Sequence, residues 1–128
     1  MGVPIQEEQR LLKELLTQVP AHLPALDHVR GSLQVDVGSD CLGVIRVEDG
    51  QVTLLPGPGK AEAVVTTAEG GGLMRLLQGE MNAIVATIQG NIDLEGDLAL
   101  ASKILRALQA DVSMRKRREA AKQRGAAT

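Results

Sequence analysis

The chain has 128 residues, 44% hydrophobic and 23% charged with a net charge of -2, which suits one globular domain with its own core. It holds no apolar run of about 18 residues, no basic segment leading into an apolar stretch at its start, and no Ser-Lys-Leu at its end, so a membrane span, a secretory leader and a peroxisomal address are not expected. The lone Cys41 makes neither an internal disulfide nor, by itself, a zinc site, and a reducing, cytoplasmic setting fits it.

Pro4 opens a helix expected near 5–19, with Ile5, Leu12, Leu15, Leu16 and Val19 as its apolar stripe. Gln6, Glu7, Glu8, Gln9, Lys13 and Glu14 form its solvated side. Pro20 and Pro24 end it and begin an irregular connection containing His22 and His28. Strands are expected near 33–38, where Leu33, Val35 and Val37 alternate with Gln34 and Asp36, and then near 42–48, 51–55 and 61–67. Asp49-Gly50 between two of these runs signals a tight hairpin, and Pro56-Gly57-Pro58-Gly59 a second turn. Glu69-Gly70-Gly71-Gly72 precedes a short helix near 73–78 that stops at Gly79. Met81, Ile84, Val85 and Ile88 then lead into a last strand over 88–95. Gly96 breaks that strand, and Asp97 is the N-cap of a helix over 97–110. The implied class is α+β: a five-stranded, mostly antiparallel sheet covered by helices.

Phe, Tyr and Trp are absent, so no ring stacks a nucleobase or cages a quaternary ammonium, and nucleic acid is not an expected partner. Neither Gly57-Pro58-Gly59-Lys60 nor Gly70-Gly71-Gly72 has the spacing of a phosphate loop. No motif places an acid to orient His22 or His28 toward Cys41, so no catalytic group is read, and no cofactor is required. Asp93, Glu95 and Asp97 alternate along one strand and read as a solvated face plus a cap, with no metal site.

Four blocks in order are similar to the sterol carrier protein 2 family. Leu42–Gly50 resembles that family's central hairpin and Ala61–Thr67 its next strand. Leu76–Met81 resembles its short helix ending in glycine, and Ile92–Ala99 its final strand and Gly-Asp helix start. The resemblance spans roughly residues 30–110. It implies a sheet and helices enclosing an apolar tunnel for sterols, fatty acids, acyl-CoA or other lipids. The chain departs from the family in its triple glycine at 70–72 and in lacking aromatics near 84–88.

On that resemblance, Leu73, Leu77, Met81, Ile84, Val85, Ile88, Leu105 and Leu108 are the candidate cavity lining. The expected function is intracellular, non-catalytic binding and transfer of a hydrophobic ligand; a bacterial source would favour fatty acyl or isoprenoid chains over sterols. Two alternatives stand beside it: a small enzyme folding or isomerising a hydrophobic intermediate in the same pocket, and an accessory subunit presenting lipids to a biosynthetic complex. Residues 115–128 carry six bases against one acid, net +5, while the remainder is net -7. The chain accordingly divides into a lipid-binding domain over 1–114 and a basic tail over 115–128. Arg115, Lys116, Arg117 and Arg118 are its candidates for contact with an anionic membrane surface or an acidic protein partner.

Overall fold

The computed structural model describes residues 5–67 and 71–126. Pro4, Glu69 and Gly70, which carry two of the expected helix starts, lie outside the described residues. Helix α1 spans Ile5–Thr17, followed by a 3-10 turn at Pro24–Leu26. Strands β1 (Arg30–Val37), β2 (Asp40–Glu48), β3 (Gln51–Leu55) and β4 (Ala63–Thr67) come next. Helices α2 (Gly72–Leu77) and α3 (Ala83–Ile88), strand β5 (Ile92–Gly96) and helix α4 (Leu98–Ala126) complete the chain.

The five strands form one sheet in the order β3-β2-β1-β4-β5. Every neighbouring pair is antiparallel except β1 with β4. Reaching β4 from the edge strand β3 requires the chain to cross β2 and β1. The loop at 56–59 does this lying against Cys41 and Val44, where a Cβ added at Gly57 would collide with Cys41 Sγ and crowd Val44. The β2–β3 hairpin turns on Asp49 and Gly50 with φ of 50° and 85°, the positive values that its two-residue loop needs.

Period-two alternation puts Leu33, Val35 and Val37 of β1, Ile45 and Val47 of β2, and Ala63 and Val65 of β4 on one buried face. Leu12 and Leu16 of α1, Leu73, Leu76 and Leu77 of α2, and Ile104, Leu105 and Leu108 of α4 belong to the same core cluster. Ser32 ties β1 to the start of β4: its backbone N–H and its hydroxyl both donate to Glu62, at 2.7 and 2.6 Å. Those bonds hold the Glu62 carboxyl below its usual range. At that same end of β4, beside Ala63, Gly96 (φ 86°) passes so close that a Cβ would run into the Glu62 carbonyl oxygen.

Four details differ from the sequence-based expectation. β1 begins three residues earlier, at Arg30. Ile88 is not in a strand: residues 83–88 wind into α3, capped by the Asn82 side chain accepting from the Val85 N–H at 2.8 Å, and β5 starts only at Ile92. Glu8 is buried rather than solvated. Helix α4 runs on past residue 110 to Ala126, carrying the basic stretch as a continuous helix of 29 residues, about 43 Å long. Its start is as expected: Asp97 Oδ1 accepts from the Leu100 N–H at 3.1 Å.

Candidate ligand-binding surface

Helix α3 is held by two alanines. Ala83 and Ala86, three positions apart, face the interior, which turns Ile84 and Ile88 outward. Ile84 is 70% exposed and Ile88 78%, and Leu98 at the start of α4 is 54% exposed. With Ala83, Thr87, Leu94 and Ser102, these three side chains line a groove of about 210 Å³ between α3, β5 and α4. Large aliphatic side chains grouped around a concavity, rather than scattered singly, mark a surface that something covers.

A second cleft, of about 440 Å³, lies at the C-terminal end of α1. Leu16, Thr17, Val19 and Ala21 line it on one side, Ile45, Val52, Thr53 and Leu54 on another, with Leu108 at its base. Its volume falls in the range usual for small-molecule sites, about 300–1,000 Å³, whereas the α3 groove alone is smaller. Among the described residues, neither concavity is lined by a charged side chain.

Of the eight candidate lining residues, three line one or other of these two concavities. Ile84 and Ile88 line the α3 groove, and Leu108 lines the α1 cleft. Leu73, Leu77 and Leu105 are packed in the interior and line neither. Met81 is half-buried against the core, and Val85 is partly exposed on α3. Leu94, Leu98 and Ser102, which also line the α3 groove, are not among the eight. Leu94 and Leu98 had signalled only the strand and the helix start, and which face of each would stay open depends on where α3 lands.

Glu8 was also missed as an interior group. It stands four and eight positions before Leu12 and Leu16, on the stripe that turns inward. The Thr67 hydroxyl donates to its Oε1 at 3.1 Å, and the Leu73 N–H donates to the Thr67 oxygen at 3.4 Å. Burial pushes the Glu8 carboxyl above its usual range, against the opposing effect of Thr67 and of the backbone N–H groups of Gly71, Leu73 and Met74.

The groups considered for chemistry stay apart in role. His22 Nε2 sits 3.0 Å from Asp27 Oδ1, both half-exposed. His28 is almost fully exposed, and its backbone N–H donates to Asp49 at 2.7 Å. The first pairing closes the 22–28 loop on itself, and the second ties it to the β2–β3 turn. Cys41 is at the start of β2, and burial pushes its thiol up, away from nucleophilic use. Asp93 and Glu95 are exposed on the outer sheet face. Among the described residues, no cluster of His, Cys, Asp and Glu is placed to hold a metal ion, and no helix is long and apolar enough to cross a membrane.

Of the four tail bases, Arg115 is tied to the body. It pairs with Asp111 at 2.9 Å and donates to Gln18, beyond the end of α1, at 2.7 Å. Lys116, Arg117 and Arg118 are exposed, the last leaning on Met114 of its own helix.

A mixed five-stranded sheet with helices packed on one face and uncharged grooves between them is an α+β domain suited to apolar ligands by shape. Residues 12–109 match the SCP-2 sterol transfer family, and the chain belongs to that family. Among solved structures, it is similar to one described as UbiJ-SCP2, a ubiquinone synthesis protein: 19% identity, TM-score 0.56, covering 83% of this chain and 88% of that one. A crystal structure of sterol carrier protein 2 aligns at 20% identity and TM-score 0.53, covering 84% and 92%. The sterol carrier protein-2 of Aedes aegypti, solved in complex with palmitate, aligns at 18% identity and TM-score 0.50, covering 84% and 96%. At these identities the likeness establishes the fold. No curated protein matches the sequence.

Proposed function

We propose that this protein binds hydrophobic ligands and transfers them without chemical change, holding the ligand against α3, β5 and the start of α4. One observation carries the reading: Ile84, Ile88 and Leu98 stand exposed around a groove that presents no charged side chain. Membership of the SCP-2 sterol transfer family, and a family-fold structure that holds palmitate, support it. In this reading Ile84, Ile88 and Val85 touch the ligand. Leu77, Leu105, Met81 and Leu73 form the wall behind α3, reached when that helix lifts. Only Ala83 and Ala86 of α3 are buried, so the helix itself gives up little side-chain burial when it lifts, and the ligand covers the leucines it uncovers.

The test is transfer of pyrene-labelled lipids between donor and acceptor vesicles. The rate should rise in proportion to protein added, and the protein should bind the same lipids in isolation. Absence of both binding and transfer refutes the proposal.

A second reading, presentation of a bound lipid to another enzyme, draws on the exposed bases Lys116, Arg117 and Arg118 on a helix that extends past the packed body, and on the biosynthetic role in the description of the UbiJ-SCP2 structure. The domain of residues 1–114 would then hold the lipid, and residues 115–128 would meet an acidic partner or an anionic surface.

A further inference from the structure

The α3 groove has two side-chain hydroxyls and no charge. Thr87 already donates its hydroxyl proton to the Ala83 carbonyl, at 2.7 Å. Ser102, one turn along α4 from Leu98, makes no hydrogen bond to any described residue, although a helical serine commonly bonds back to the carbonyl four positions earlier. Its hydroxyl is left as the groove's open donor and acceptor, set among Ile84, Ile88, Leu94 and Leu98.

The basic groups of α4 do not supply a counter-charge there. Lys103 and Arg106 are exposed and line neither concavity. At the α1 cleft, the neighbouring Arg115 is already paired with Asp111 and bonded to Gln18. A carboxylate or phosphate lying in either site meets no cation in its lining, and any water it sheds there goes uncompensated. An uncharged oxygen loses less and gains a hydrogen bond.

From this charge pattern we infer that the protein's ligand is a neutral lipid, an aliphatic chain bearing a hydroxyl, ester or carbonyl oxygen, and that Ser102 anchors that oxygen. This rests on the lipid-binding reading above and narrows it to a ligand class.

The experiment compares 1-dodecanol with dodecanoate at pH 8, each displacing Nile red from the full-length protein, in the wild type, Ser102→Ala and Ser102→Thr. The expected result is dodecanol at least tenfold tighter than dodecanoate. Ser102→Ala should weaken dodecanol about fivefold, as loss of one hydrogen bond does, and leave dodecanoate unchanged, while Ser102→Thr, which keeps the hydroxyl, retains wild-type affinity. The thermal midpoint of each variant shows that the fold is intact. Equal or tighter binding of dodecanoate overturns the neutral-ligand inference and leaves the lipid-binding reading standing. Dodecanol affinity unaltered by Ser102→Ala overturns the anchor. Failure of both ligands and of the dye to bind overturns the lipid-binding reading itself, and with it this inference.

Discussion

If the ligand rests on α3, stability and binding should separate cleanly between two kinds of apolar residue. Leu105 is 1% exposed, and cutting it back to alanine removes packed methyl groups from the interior. Leu105→Ala should cost about 3 kcal/mol, and at roughly 4 °C per kcal/mol for a domain of this size the thermal midpoint should fall by ~12 °C. Ile88 is 78% exposed, so Ile88→Ser should change stability by no more than ~0.5 kcal/mol, about 2 °C. A bound chain covering about half of that side chain would, by contrast, contribute ~1 kcal/mol, close to fivefold in affinity. Ile84→Ser should behave alike, and the double variant should lose about 25-fold if the two residues act independently. Without aromatic residues the protein offers no tryptophan signal, so the midpoint is read by circular dichroism of the helices and the affinity by displacement of Nile red. Unchanged binding in the Ile84→Ser, Ile88→Ser double variant, beside a Leu105→Ala protein that keeps its midpoint and loses its ligand, would refute the reasoning and return the site to the interior.

Three further outcomes are expected. Glu8 keeps its proton to higher pH in the folded protein than in the unfolded chain, so its contribution is full below the unfolded value near 4.5 and is lost as pH rises through the raised folded value. Urea midpoints should therefore show Glu8→Gln gaining on the wild type between pH 4.5 and pH 7.5, and an equal gap at both pH values would contradict this. Asp97→Ala should cost about 1 kcal/mol through loss of the α4 cap, with Asp97→Asn largely retaining stability, as thermal denaturation would show. Ending the chain after Arg115, which preserves its contacts with Asp111 and Gln18, should leave the midpoint within a few degrees and weaken binding to anionic vesicles. The intact protein's vesicle binding should fall as salt shortens the Debye length below about 10 Å, and salt-independent binding unaltered by truncation would assign those bases to ordinary solvation.

Much of the fold is written locally. The alternation at Leu33, Val35 and Val37, the Asp49-Gly50 turn, and the Gly96-Asp97 switch from strand to helix each depend on neighbours within a few residues, and each appears in the structure near where it is expected. The family resemblance was legible because those signals occur in a set order. The site was not legible in the same way. Residues 81–88 are apolar in a pattern too short to separate strand from helix, and the choice fell to the Asn82 cap and to the space left beside β5. Once α3 forms, its two alanines turn inward and Ile84 and Ile88 turn out, so that both border an open groove. Glu8 illustrates the same limit: its charge reads as part of the solvated side, although the four-residue spacing that the sequence by itself determined puts it on one helix stripe with Leu12 and Leu16. Only the docking of that stripe against Thr67 and the start of α2 decided that a carboxyl would be buried there, because burial is set by which surfaces meet and not by the order of residues along either one.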